Sequence, residues 1–411
     1  MTVLRRLARG VAVLAGLGLL ALAGLFTALA FERSSEAELP APTGSFAVGR
    51  AIYDWRDEMT VDTLAPAPGT KREVLAWIWY PAVATPASTT DDYIPAQMRA
   101  AVPPAGFPFS FVYRDKAKVH AHSIRDANLI ASRQSFPVVI LRGGLAAGVT
   151  SYTTLTEDLA SHGYVVVGID APYRTGVVVF PDGRVIRRTD QNDLEAYPDE
   201  EVPRVALKLL AGWTSDIGFA LDRLAQLNAS DPSGRFTGRL DLNRIGVFGH
   251  SFGGAQAAQF CHDDARCKAA IDIDGAPFGS VIQEGMQKPF MFLLSRTGPS
   301  GGAGDGSSDA EIRQVKADVQ SIYDRLPPTT RSWIFLRGAN HFLYSDDANM
   351  LASRIVLGGL RLFGILKIDG RRQLAVTTYC VHSFFDAHLK GAGASPLKLS
   401  SPIYPELEPV D

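Results

Sequence analysis

A chain of 411 residues that is 46% hydrophobic and 20% charged can build a buried core, which excludes a disordered chain, a collagen-like fibre and a coiled coil. With 41 Lys+Arg against 43 Asp+Glu the formal net charge is −2, so the basic excess of a nucleic-acid binder is missing and no such partner is expected. Three cysteines without a C-x-x-C pair are too few for a disulfide scaffold or a zinc ribbon.

In chain order the first element is an uncharged run over 10–31, preceded by Arg5, Arg6 and Arg9 and followed by Glu32, Arg33, Glu36 and Glu38. As a helix it would reach about 33 Å, enough for a bilayer core. Basic residues before it and acidic ones after it predict an inside N-terminus and an exported body. Ala28-Leu29-Ala30 fits a cleavage site, so a retained anchor and a cleaved signal peptide both stay open. The run exceeds the usual signal core of about 7–15 residues, which favours the anchor. Residues 1–32 are therefore read as anchor or signal, 33–45 (rich in Glu, Ser and Pro) as a linker, 46–395 as one catalytic domain and 396–411 as a C-terminal tail.

Within the domain, 72–80 (REVLAWIWY) predicts a strand and 83–110 an irregular insertion. The segment 103–113 (PPAGFPFSFVY) is read as an insertion packed into the core, with a lipid-facing lid as the alternative. Short apolar runs at 136–141, 164–170, 245–248, 269–273, 290–294 and 333–336 predict buried parallel strands. Helices are expected over 152–162, 209–227 and 378–389, a hairpin over 177–186 and a flexible loop over 298–308. Strands alternating with helices indicate a mostly parallel sheet covered on both faces.

Most of the chemistry lies in Gly249-His250-Ser251-Phe252-Gly253, a G-x-S-x-G motif with a strand before it and a small-residue helix after it. A serine on such a strand-to-helix turn is lifted above the sheet, and the helix start offers N–H groups to an oxyanion. Its base is expected to be His341, in the loop after the strand 333–336; His250, His262, His382 and His388 are read as packed or solvated. Asp274, at the end of AAIDID, is the expected acid, with Asp305 and Asp272 as alternatives. The amides of Leu145, in the turn after FPVVIL, and of Phe252 are the expected oxyanion donors. A local Cys261–Cys267 disulfide is left open, because a continuous helix would point the two side chains apart. The group Cys261, His262, Asp263, Asp264 and Cys267 is read as a solvated helix end; neither a metal nor a cofactor is expected.

The runs GHSFGGA, IDIDGAPF and LRGANHF resemble the platelet-activating factor acetylhydrolase family, the secreted lipoprotein-associated phospholipases, over about three quarters of the chain. The 23-residue step from Ser251 to Asp274 matches the family's spacing, and DLASHGY, at 158–164, resembles its helix ending and sets Leu145 on its oxyanion residue. The resemblance implies an α/β-hydrolase fold and a calcium-independent serine esterase acting on short or oxidised acyl chains of phospholipids. This chain has Arg142-Gly143-Gly144 where the family commonly starts the oxyanion turn with His-Gly. A polyester- or cutin-type esterase, or another small-ester hydrolase, is the first alternative; a non-catalytic binding module that keeps the turn as scaffold is the second.

Overall fold

The structure, a computed structural model, describes residues 2–102, 110, 112–131, 135–296, 309–346, 352–391 and 402–410. Its strands are β1 (Ala37–Glu38), β2 (Ala47–Val61), β3 (Lys71–Ala82), β4 (Thr90–Asp92), β5 (Val119–Arg125), β6 (Phe136–Arg142), β7 (Val165–Asp170), β8 (Val177–Val179), β9 (Val185–Arg187), β10 (Leu240–His250), β11 (Cys267–Ile273), β12 (Phe290–Ser295), β13 (Arg331–Leu336) and β14 (Leu407–Pro409). The helices are α1 (Thr2–Ser34), α2 (Ala96–Ala101), α3 (Thr153–Ser161), α4 (Val202–Ala229), α5 (Phe252–Asp263), α6 (Val281–Glu284), α7 (Asp309–Arg325), α8 (Arg354–Leu362) and α9 (Gly370–Leu389).

The main sheet runs β1-β5-β2-β3-β7-β6-β10-β11-β12-β13-β14, and β4 pairs with β5. From β7 to β13 all neighbours are parallel; β3 runs antiparallel to both β2 and β7, β14 runs antiparallel to β13, and β2 pairs in parallel with β5. This is the α/β-hydrolase fold. The central strands read as unbroken apolar runs because both faces are covered. Side chains alternate across the sheet: Leu75, Trp77 and Trp79 of β3 join one core with α3 and α9, whereas Val74, Ala76 and Ile78 join the other with α4, α5 and α7.

The expected strands and helices all lie on this frame, and 177–186 is a β8–β9 hairpin. Three segments have more order than their composition suggested. Residues 37–38, inside the expected linker, pair with β5; residues 407–409, inside the expected tail, pair with β13; the 83–110 insertion contains β4 and α2. α5 stops at Asp263 and Cys267 opens β11, so the two cysteines are not on one helix, and they form a disulfide. The loop 298–308 with Asp305, and residues 103–109 and 111, lie outside the described residues. Among the described residues one helical segment, Arg5–Ser34 of α1, is long and apolar enough to cross a membrane.

Candidate active site

Parallel strands deliver their C-terminal ends to one edge of the sheet, and the candidate residues collect there. Ser251 follows β10 directly and starts α5 with φ +56°, a left-handed backbone that a serine adopts only when its surroundings enforce it. Its amide donates to the Ile273 carbonyl at 2.8 Å, fixing the turn onto β11. The flanking glycines are required by close backbone approach. A methyl on Gly249 would sit 2.1 Å from the Gly253 carbonyl oxygen, and one on Gly253 would sit 2.3 Å from that of Arg142.

His341 sits after β13, in the first residue of a 3-10 turn capped by the Asn340 side chain. Its Nε2 lies 3.1 Å from Ser251 Oγ, and its Nδ1 lies 2.8 Å from Asp274 Oδ2. A carboxylate only accepts, so Nδ1 carries the proton, and Nε2 is left to accept from the serine hydroxyl. Asp274 is fully buried and also accepts from the Ser295 amide (2.6 Å) and the Ser295 hydroxyl (2.8 Å). Ser295, the last residue of β12, had no place in the sequence reading; its position at a strand end beside the site was the available signal.

Asp272, one of the alternative acids, does not face His341. It lies beneath the turn, where it accepts from the Gly275 amide at 2.8 Å. Burial, with the Asp274 charge adding, pushes its carboxyl up to about 8. Asp170, at the end of β7, accepts from the Val149 amide and from Trp77 Nε1, each at 3.0 Å; burial raises it to about 6.

The turn after β6 brings Leu145 to the same pocket as Ser251 and His341. Neither the Leu145 nor the Phe252 amide donates to an acceptor among the described residues. The Arg142 side chain, at the start of the turn, is withdrawn from it. It donates to Gln256 Oε1 (2.7 Å) and the Ile169 carbonyl (2.5 Å), with its guanidinium 5.4 Å from the Trp213 ring centre.

A further chain of hydrogen bonds connects this turn to His341. The Gly144 amide donates to the Tyr152 hydroxyl oxygen at 3.1 Å. His250 Nε2 is 2.9 Å from the His341 carbonyl, which can only accept, so Nε2 is protonated and Nδ1 accepts from the Tyr152 hydroxyl at 2.9 Å. Every donor in the series is thereby fixed. Burial, with His341 adding, drives the His250 imidazolium well below the ordinary histidine range, so the ring is neutral.

The pocket has a volume of about 760 Å³, with Ser251 and His341 on its floor and Tyr113, Val356, Leu360 and Ile365 among its walls. Of the other histidines, His262 is half-buried rather than solvated, held by the Gly285 carbonyl at 2.6 Å. Asp158, His162 and His382 cluster far along the chain from the serine. The two rings stack 4.2 Å apart at 25°, so their in-plane lone pairs lie in nearly parallel planes and do not meet at one point. Asp158 is occupied by His382 (3.0 Å) and by the Thr43 amide and hydroxyl.

The family model described as platelet-activating factor acetylhydrolase, isoform II, matches residues 31–174 and 222–390. A protein of Arthroderma benhamiae described as "Probable 1-alkyl-2-acetylglycerophosphocholine esterase" is 24% identical over 289 residues, covering 66% of this chain and 65% of its own length. Platelet-activating factor acetylhydrolase of Bos taurus is 25% identical over 275 residues, covering 62% and 58%. The chain thus spans under two thirds of the length of the curated relatives it matches. A solved ferulic acid esterase from Streptomyces cinnamoneus superposes with a TM-score of 0.72 at 26% identity, covering 92% of this chain and 100% of that one.

Proposed function

Because this chain belongs to the platelet-activating factor acetylhydrolase, isoform II, family, we propose that it is an exported serine esterase that hydrolyses short or oxidised acyl chains of phospholipids. Ser251 attacks the ester carbonyl as His341 Nε2 takes its proton, and Asp274 orients the imidazole and stabilises its charged form. The Leu145 and Phe252 amides receive the oxyanion. The alcohol leaves with the proton from His341, and water releases the acyl group by the same steps in reverse. No cofactor takes part. The observation that carries this reading is the unbroken series Ser251–His341–Asp274, at 3.1 and 2.8 Å, on the floor of a largely apolar pocket. α1 holds the body at the outer face of a membrane, or directs its secretion when cleaved.

The ferulic acid esterase neighbour supports a second reading, hydrolysis of small non-lipid esters. A fluorophosphonate probe and a substrate panel test both. Folded protein is expected to label at Ser251, Ser251→Ala is expected not to, and phospholipids with short acyl chains are expected to turn over faster than feruloyl esters. A reversed ranking favours the second reading, and absence of labelling favours a non-catalytic binding module.

A further inference from the structure

An oxyanion donor works only when its N–H is aimed at the reacting carbonyl. The bonds around Leu145 can be followed outward from the turn. In a trans peptide the C=O and N–H point opposite ways. The Gly144 carbonyl, which shares its peptide with the Leu145 amide, accepts from the Ala147 amide at 3.0 Å. The Ala147 amide shares its peptide with the Ala146 carbonyl, which accepts from the Gly176 amide at 2.9 Å. Two peptide planes thus relay the position of Gly176 to the Leu145 amide. Ala146 holds φ +61°, a left-handed backbone that its surroundings must enforce, and it forms an isolated parallel bridge with Thr175. The approach is close: a methyl on Gly176 would lie 2.9 Å from the Ala146 carbonyl oxygen.

The segment that carries Gly176 is anchored by Arg174. The Thr175 amide donates to the Ala171 carbonyl and the Ala171 amide to Thr175 Oγ1, both at 3.0 Å, which closes the turn after β7. Within that turn Tyr173 is left-handed, at φ +67°, and the Arg174 side chain is fully buried. Its Nη1 donates to Asp62 Oδ2 at 2.8 Å and to the Pro172 carbonyl at 3.0 Å. Its Nε and Nη2 grip Asp216 at 3.0 and 2.7 Å. Asp62 follows β2 and Asp216 lies in α4, so one guanidinium ties the turn to two distant elements. Trp213, one turn earlier on α4, packs against the Phe252 ring with centroids 5.2 Å apart, so the same helix backs the second proposed donor.

A buried ion group is a weak source of stability, because desolvating its charges costs about what their attraction returns. Its planar fork does fix direction: a guanidinium held by two carboxylates on separate elements has little freedom to turn. Ester hydrolysis as described above leaves this group without a role.

We propose that Arg174 and Gly176 are positioning residues that aim the Leu145 amide at the oxyanion. Arg174 sets the turn after β7, Gly176 passes its position to the Ala146 carbonyl, and the peptides 146–147 and 144–145 carry it to the donor. Neither residue touches substrate. This role rests on the esterase reading and deepens it.

Arg174→Met alone would strand Asp62 and Asp216 in the interior, so two other variants carry the test. Gly176→Ala keeps the ion group and crowds the Ala146 carbonyl. Asp62→Asn with Arg174→Met and Asp216→Leu removes the three charges together and keeps an acceptor for the Leu64 amide. In both, kcat per site titrated with fluorophosphonate is expected to fall about tenfold with KM nearly unchanged. Affinity for a trifluoromethyl ketone analogue, which places an oxyanion at the same point, should fall by the same factor. The Ala147 amide should exchange its hydrogen faster than in the parent. A normalised kcat equal to the parent's, a loss carried by KM alone, or unchanged exchange in folded variants overturns the proposal. Should the triple variant not fold, Gly176→Ala decides alone. A parent that neither labels nor turns over sinks the esterase reading, and the exchange measurement then still decides whether Arg174 and Gly176 hold the turn.

Discussion

Beneath the floor of the pocket, Asp274 and Ser295 are fully buried and bonded to each other twice; at and just beyond the rim, Ile365, Leu362 and Phe363 are largely exposed. The floor is polar and enclosed, so each donor needs an acceptor and geometry is over-determined. The rim is apolar and open, so its conformation depends on what covers it. The contrast teaches that two kinds of structure meet at the pocket: strand ends set Ser251, Asp274 and His341, and a short helix bonded to the foot of α1 walls the mouth.

The sharpest way to test that separation is Asp274→Asn. An amide can donate toward Nδ1, which favours the wrong tautomer of His341 and removes the charge that stabilises its protonated form. Turnover is expected to fall by about 10⁴-fold, alike for short and long esters. A loss that depends on acyl length would join floor and rim into one unit and break the comparison.

A second effect is confined to the floor and reads out as stability. Asp272 is fully buried and its carboxyl is raised from the ordinary 3.8 to about 8, chiefly by burial. The folded state thus holds its proton more tightly than the unfolded chain does. The neutral form's advantage is complete below pH 4, and stability drains away as pH rises from 4 to 8. Asp272→Asn keeps an acceptor for the Gly275 amide and removes the titration. Its unfolding curve should nearly match the parent at pH 4 and gain on it as pH increases, by about 4 kcal/mol at pH 7. A gain that is independent of pH would show that packing, and not proton uptake, is responsible.

Several parts of this molecule were legible in the sequence because a single physical constraint fixed them. The glycines around Ser251 are read off directly, since only a missing Cβ lets β10, α5 and the Arg142 carbonyl approach so closely. Runs such as 136–141 and 165–170 are apolar throughout because both faces of the sheet are covered. β1 and β14 were not legible. They are two and three residues long and join the sheet through backbone groups that any residue possesses. The helix at 354–362 has an amphipathic pattern, but the pattern alone does not say whether its apolar side faces a core or remains uncovered. Ser295 and Tyr152 were missed because each acts on a partner distant in sequence, 21 residues away for Asp274 and 98 for His250.

Tyr152 lines the pocket and also joins its two halves, which makes it the smallest and most discriminating probe of the comparison. Its hydroxyl oxygen accepts from the Gly144 amide in the turn beside Leu145, and its proton goes to His250, which in turn holds the His341 carbonyl. Tyr152→Phe removes both bonds while keeping the ring, leaving a buried amide and a buried imidazole nitrogen without partners. Stability should fall by about 1–3 kcal/mol. The turn and the histidine loop would then be free to shift independently, and misplacement of an oxyanion donor appears in kcat more than in KM. With kcat normalised to the sites titrated by fluorophosphonate, a loss of about tenfold is expected with KM nearly unchanged. If the normalised kcat equals that of the parent, the hydroxyl contributes only to folding, and the oxyanion turn is positioned by Arg142, Gln256 and the backbone without it.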